Sequence, residues 1–474
     1  MQVVLPLVLA QFIASYAASN MNVAISNIAA DIGTTVIGVQ TAITLFTLVM
    51  AALMIPGSKL TDIWGRKFCL ILGLGIYGVG GLIATVAPSL LVLSIGYSLL
   101  EGIGSALLIP PIYILLTVLF SGRERAKNFG LVSAAAGMGS AAGPLIGGLI
   151  TTAITWRASF LLQVLVVGLI IIMSRGLPDS GKPATKPNFD FSGATLSAAG
   201  LVLIVVGILE SRTYGWLRSQ QAFSLFGHVI IPKGGLSPIW LYIAAGLLFL
   251  AWFYRHIEHR ERTGRTPLVA THVLHNVTAN LGLITQNIQW LVLQGSSFVV
   301  SVFLQTVRGF NAIETGLSFT PATVGLLLSS ALAGRMAVRR AQATLIRGGF
   351  ALTVLGLALL VILGGISTNV LLFIPGLFAL GLGVGIMLTA SVNVVQSSFS
   401  EKDQGEISGV SRSVSNLGSS FGTSIVGSVL VSSLVAGNRH FVLAIIVMLV
   451  FGVIGLLVAF ALPKTKPAIS GTGN

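Results

Sequence analysis

The segment GLVSAAAGMGSAAGPLIGG, residues 130–148, decides how this chain is read. It sets Gly130, Gly139, Gly143, Pro144, Gly147 and Gly148 inside an apolar run that extends over 128–151. In a water-exposed helix each interior glycine would cost about 1 kcal/mol and the proline about 3. In a membrane helix the same residues are useful. Small side chains three and four apart let a second backbone approach closely, and neighbours can satisfy the carbonyl that proline frees.

Working outward, the rest of the chain has the same character. Hydrophobic residues make up 54% of the 474 positions and charged residues only 8%, against about 25% charged in soluble domains. Fourteen apolar segments follow one another: 3–28, 36–57, 69–88, 90–119, 128–151, 158–174, 191–211, 238–254, 280–304, 313–334, 345–364, 369–396, 407–432 and 441–462. The expected fold is an all-α membrane protein of 14 transmembrane helices with both termini cytoplasmic. The first segment has no Lys or Arg before it and lacks the charged start of a signal peptide, so it reads as a true first span.

The net charge of +14 is a topology signal. Of the 27 Lys and Arg, only Arg157, Arg212, Arg218, Lys233, Arg308 and Arg439 fall outside once the termini are placed inside. That asymmetry follows the positive-inside rule. It excludes a nucleic-acid face, which would need its basic residues clustered on one surface. Cys69 is the only cysteine, so no intramolecular disulfide forms.

Polar interruptions divide the chain. The Pro-, Gly- and Lys-containing stretch 175–190 ends a first set of six spans, residues 1–174. Residues 175–279 carry a linker and two additional helices around an external loop, 212–237. Residues 280–474 hold a second set of six, giving a 6+2+6 layout. The external loop, with Trp216, Phe223 and Phe226, reads best as an aromatic-anchored segment at the lipid surface, with an interfacial helix or short hairpin as alternatives. The basic loops Ser58–Lys67 and Gly334–Arg340 follow the second span of each six, a weak internal repeat of the kind that places a transporter's substrate site between halves.

The glycine-proline pattern of 130–148 resembles the antiporter motif in the fifth helix of exporters of the major facilitator superfamily, matching at all six positions. The loop after span two resembles that superfamily's signature at Asp62, Gly65, Arg66 and Lys67, with Ser58 and Ile63 departing from it. Trp156-Arg157 with Phe160, Thr315-Gly316-Leu317 with Pro321, the glycines 381, 383 and 385, and Leu417 to Gly422 extend the likeness over nearly the whole chain. The group it resembles is the fourteen-helix drug:proton antiporters. The resemblance implies a cytoplasmic latch around Asp62, Gly65, Arg66 and Lys67, with Arg125 as partner. Physically, an Asp beside basic residues can cap a neighbouring helix and pair with Arg.

Two departures bear on energy coupling. The acid usual in the first helix, before a run like Asn22-Val23-Ala24, falls on Ala17. In the fourth helix the usual arginine is Ser98 and the usual glutamine is Glu101. Glu101 is the one carboxylate placed deep within a span. A charge there is expensive, which suits a proton carrier that is protonated in one state and releases to water in another. The competing reading is a neutral acid that hydrogen-bonds between helices as glutamine would.

Cavity-lining candidates come from polar stripes. Gln11, Ser15, Ser19, Asn22 and Ser26 recur at helical spacing in span one. Gln286, Trp290, Gln294, Ser297 and Ser301 do so in span nine, and Asn393 and Gln396 add to span twelve. Lipid cannot satisfy such groups, so they face a wet path or another helix. Both stripes are uncharged, which suits neutral or amphipathic ligands. Glu401, Asp403 and Glu406 precede span thirteen, where Arg412 is expected to snorkel or to pair with Glu406 or Asp403. His256, His259, His272 and His275 read as solvated interfacial residues rather than a metal site.

These observations describe a secondary transporter, not an enzyme, that exports lipophilic or amphipathic small molecules by alternating access. No cofactor is expected, and the proton gradient is the expected energy source. The expected partners are membrane lipid and a small substrate, with no nucleic acid and with the monomer functional. The site is the cell membrane, crossed many times. The alternatives are a lipid or neutral-metabolite transporter with weak or no proton coupling, and a non-transporting membrane scaffold or sensor.

Overall fold

The computed structural model describes residues 3–120, 122–178, 188–225, 228–366, 369–400, 403–431 and 438–463. Among the described residues the regular structure is helical apart from one short hairpin. In order the helices are α1 (Val4–Asn20), α2 (Ile25–Asp31), α3 (Val36–Trp64), α4 (Arg66–Thr85), α5 (Leu90–Leu93), α6 (Gly102–Leu119), α7 (Gly122–Ala153), α8 (Trp156–Ser174), α9 (Phe191–Tyr214), α10 (Ile239–Arg262), α11 (Thr271–His275), α12 (Val277–Val302), α13 (Ala312–Ser318), α14 (Thr320–Arg339), α15 (Gln342–Ile366), α16 (Phe373–Ser397), α17 (Gln404–Val431) and α18 (Asn438–Ala461). Among the described residues twelve helical segments are long and apolar enough to cross a membrane, or 13 if the bent pair α13–α14 counts as one span. α17 is long enough but serine-rich, and is not among them.

Side chains at the helix ends explain where many of these elements begin. Thr35, Asp190 and Asn276 accept from the backbone three residues on and start α3, α9 and α12. Asn311 and Glu314 make a capping box at the start of α13. α3 ends at Gly65, whose φ of +99° and ψ of 144° are open essentially to glycine alone. Gly65→Ala is expected to lower stability by about 1–3 kcal/mol, read as a lower melting temperature of the purified protein in detergent. Space does not set this cost, since nothing lies within 4 Å of a Cβ there.

Two sets of helices form. α1, α3, α4, α6, α7 and α8 pack on one another, as do α12 and α14 to α18. α9 and α10 pair with each other, and α9 also touches α3 and α17. Between the sets, α3 lies along α17 and α7 against α13 and α14. Glycines set the close approaches. A Cβ at Gly139 would strike the Phe12 carbonyl, one at Gly143 the Ser19 side chain, and one at Gly147 would meet Asn20 Cβ at 3.0 Å, so these three form the α7 face against α1. Gly148 faces Ala312 of α13, and Gly316 faces Pro144. Gly130 has open space around it and takes no part.

The loop 212–237 contains a hairpin rather than only an anchored loop. β1 (Phe223–Leu225) pairs antiparallel with β2 (His228–Ile231). Phe223 packs edge-on against Tyr214 and Tyr242, which ties the hairpin to α9 and α10. Trp216 Nε1 donates to Ser428 Oγ of α17 at 3.1 Å. Phe226 lies outside the described residues.

The molecule therefore has a hairpin end and a basic end, the latter carrying Lys59, Arg66, Lys67, Arg175 and Arg260. At the hairpin end Trp156 donates to Asp31 at 2.9 Å and Arg157 pairs with the same carboxylate. The Arg157 guanidinium, then the Trp156 indole, hold the Asp31 carboxyl below the usual carboxylate range. A depressed folded-state value adds stability above the unfolded value, near pH 4, and that stability fades as pH falls through the folded value. Asp31→Asn is expected to flatten the fall in melting temperature between pH 5 and pH 3. An identical acid limb in parent and variant would show that the pair contributes nothing.

Candidate functional site

The interior is built from the polar stripes of α1 and α12, which meet across the two sets. Gln294 Nε2 of α12 donates to the Ala18 carbonyl at 3.3 Å. Nearer the hairpin end, Ser301 and Gln305 donate to the Asn22 carbonyl at 2.5 and 3.0 Å, and the Ser26 backbone donates to Gln305 at 3.0 Å. These bonds, with the α7–α13 contacts, close the hairpin end.

Below that closure lies a cavity of about 60 Å³. α1 contributes Ser19 and Asn22, α7 Ser140 and Pro144, and α12 Gln294 and Ser297. Phe319, Thr323, Leu326 and Gly381 complete it from α14 and α16 and the bend before α14. A few polar groups in an apolar wall is the usual make-up of a small-molecule site, whose volume is typically about 300–1,000 Å³. The space here is smaller, so this conformation holds the site contracted.

The remaining candidates are placed elsewhere. Gln11 is buried and bonded to Ser15 and Tyr113. Gln286 accepts from Ser411 of α17 at 2.9 Å and ties two helices. Trp290 and Gln396 are half-buried and Asn393 is exposed, and none of them lines this cavity. Ser140 and Thr323 belong to no polar stripe, since small and apolar residues predominate around them.

At the basic end residues 58–64, expected as a loop, are the last turns of α3, and they do reach the other set. Asp62 lies beside Gly405, at the start of α17. Ser58 Oγ donates to the Gly405 carbonyl at 2.8 Å, and Lys59 pairs with Glu406 at 3.0 Å. Lys67 instead donates to the carbonyls of Arg175 and Leu177, at 2.8 and 2.7 Å, at the end of α8. The Arg125 side chain lies outside the described residues, as does Glu401. Asp403 meets His272 at 3.3 Å, so neither it nor Glu406 serves Arg412. His256 and Arg260 instead meet the buried Asp190, at 2.9 and 3.4 Å.

Glu101 is fully buried at the end of a π-helical stretch, Ser94–Glu101. It packs on Gly80 and Gly81 of α4 and near Val164 of α8, and does not line the cavity. Neither carboxyl oxygen has a hydrogen-bond partner.

The family model described as Major Facilitator Superfamily matches residues 7–423. The chain belongs to the major facilitator superfamily. It is a multi-pass protein of the cell membrane. Among its relatives in that superfamily is the probable actinorhodin transporter of Streptomyces coelicolor, 27% identical over 418 residues, 86% of this chain and 68% of that one. The multidrug transporter protein MdtP of Bacillus subtilis is 26% identical over 429 residues, covering 90% and 74%. The multidrug resistance protein Stp of Mycobacterium tuberculosis is 25% identical over 417 residues, covering 88% and 73%. In fold the chain is similar to the peptide transporter POT, with a TM-score of 0.66 at 14% identity over 98% of this chain and 96% of that one.

Proposed function

We propose that this superfamily member exports lipophilic or amphipathic small molecules by alternating access, driven by the proton gradient. The observation that carries the reading is the contracted, mostly apolar cavity between the two helix sets, closed toward the hairpin end by contacts that cross from one set to the other. A site sealed by cross-set contacts opens when the sets rock apart. The names of the relatives above, two of them multidrug proteins, support the same reading.

The basic end is assigned to the cytoplasm by the excess of Lys and Arg there. With α17 and the α13–α14 pair counted, fourteen helices cross, both termini lie inside, and the units are 1–174, 175–279 and 280–474. α17 qualifies despite its serines because their hydroxyls are used up. Ser413 donates to the Ala51 carbonyl at 2.5 Å, and Ser420 and Thr423 bond Thr47 and Thr44 of α3 at 2.7 and 3.0 Å. The monomer is the working unit.

Proton coupling is assigned to Glu101, the buried acid of the fourth span. Its place away from the residues that line the cavity favours one other reading, a facilitator for lipid or neutral metabolites. Reconstituted protein decides between them. Under an imposed pH gradient the exporter accumulates a lipophilic fluorescent dye at least tenfold over a protonophore control. Flux that ignores the protonophore would leave the facilitator, and no flux with any ligand would sink both.

A further inference from the structure

Arg412 is a cation inside the bundle with no acid beside it among the described residues. It lies about two turns into α17 and is half-buried. Its guanidinium hydrogen-bonds the hydroxyl of Tyr113 on α6 and lies 4.9 Å from the centre of that ring. Tyr113 donates in turn to Gln11 Oε1 at 3.2 Å, and Gln11 Nε2 donates to Ser15 Oγ at 3.1 Å. The carboxylates nearest in sequence are engaged elsewhere: Glu406 holds Lys59 and the Ala270 backbone, and Asp403 holds His272 and Ser400. Among the described residues no carboxylate pairs with Arg412.

An arginine does not escape this by losing its proton. Its planar fork matches a carboxylate through two parallel bonds, roughly twice as strong as neutral ones. Tyr113 occupies one donor, which leaves most of the fork unused by the protein. Location adds the rest. Gln11, Ser15 and Ser19 are one polar face of α1, continued by Asn22 in the turn after it, and its far end lines the cavity. Eight residues of helix separate Gln11 from Ser19, about 12 Å. The uncharged path read from the stripes therefore carries one positive charge, at its basic end.

We propose that Arg412, with Tyr113 and Gln11, receives the anionic group of an amphipathic acid, a lipophile bearing a carboxylate or sulfonate, as it enters from the basic end. This rests on the export reading and names its substrate class. The anion outcompetes the neutral Tyr113 hydroxyl for the guanidinium. Because Tyr113 and Arg412 belong to different helix sets, ligand arrival removes one tie between the sets and so couples occupancy to rocking.

The test is calorimetric titration of the purified full chain with N-dansyl-phenylalanine and with its neutral methyl ester. The parent is expected to bind the acid at least tenfold more tightly than the ester. Arg412→Gln should lose at least tenfold for the acid, stay within twofold for the ester, and melt like the parent. Arg412→Lys should recover part of the loss. Equal binding of acid and ester by the parent, or an Arg412→Gln variant that binds the acid as the parent does, overturns the proposal. Repeating the titration in phosphatidylcholine nanodiscs with and without phosphatidylglycerol separates the sources of the anion. Suppression of acid binding by phosphatidylglycerol would assign Arg412 to a lipid headgroup and overturn the substrate reading. Dye export under a pH gradient stands apart. A chain that exports dye but ignores the acid refutes this inference and leaves the transport function intact.

Discussion

Gly148→Val is expected to cost at least tenfold in export and to hold the hairpin end apart. A Cβ at Gly148 would collide with the Ala312 carbonyl, with the Ala312 carbonyl carbon at 3.0 Å and Ile313 Cα at 3.2 Å. All are backbone atoms, so no rotamer change relieves the clash. The reciprocal contact is the same in kind, since a Cβ at Gly316 would strike the Pro144 carbonyl. Overpacking of this sort costs about 1–3 kcal/mol, which moves a two-state equilibrium by roughly 5- to 150-fold. α7 and α13 belong to different helix sets, so the cost falls only on the state in which they meet. Cys69 is the sole cysteine and is buried, which makes the measurement direct. In a Cys69→Ala background, Ser297→Cys in the cavity should react faster with an impermeant maleimide applied from the hairpin side when Gly148→Val is present. Gly130→Val, in the same sequence motif but with open space around it, should change neither labelling nor export. Equal behaviour of the two variants would refute the packing argument.

The architecture was legible because its signals are one-dimensional. Apolar run length and the side on which Lys and Arg fall need no knowledge of neighbours. The α1 and α12 stripes were legible for a related reason: helical spacing of Ser, Asn and Gln marks a face. That signal found Ser19, Asn22, Gln294 and Ser297 in the cavity wall. It could not find Leu326 or Gly381, because apolar and small residues look alike whether they line a cavity or pack a helix. It also could not tell a wet face from a bonded one, so Gln286 was grouped with the cavity although its acceptor is spent on Ser411. Arg412 was expected beside Glu406 or Asp403 on sequence proximity. The fold brings Lys59 and His272 to those acids from α3 and α11, partners more than a hundred residues away that spacing along one helix does not reveal. The short strands at 223–231 were weakly marked, since the contacts that fix Phe223 come from Tyr214 and Tyr242 on two different helices.

Glu101→Gln is expected to abolish gradient-driven accumulation, by at least tenfold, while leaving downhill flux and the melting temperature in place. The titratable groups that act on Glu101 are Tyr77 and Tyr97, both neutral phenols. A lone buried acid of this kind is tolerable when neutral and costly when charged, so its proton must leave along a path. Tyr77 donates to Gln163 Oε1 at 2.5 Å, and the Gln163 Nε2 has no acceptor. With the phenol proton directed at Gln163, the phenol oxygen can accept the proton of Glu101. A half-turn of that amide would let Nε2 donate to Tyr77 and turn the phenol proton back toward Glu101, which resets the relay. One turn along α8 from Gln163, Ser159 bonds Tyr16 at 2.6 Å and Asn20 at 3.0 Å. Ser19, beside Asn20 in sequence, lines the cavity. Chains of such groups, bridged by buried water, carry protons. Tyr77→Phe breaks the first link without removing the acid, and should shift the pH profile of accumulation while sparing downhill flux. If Glu101→Gln accumulates dye as well as the parent does, the acid is a neutral hydrogen-bonding spacer and the proton travels elsewhere. Glutamine keeps the shape of the protonated acid, with a donor and an acceptor, but cannot ionise, so the comparison isolates coupling from packing.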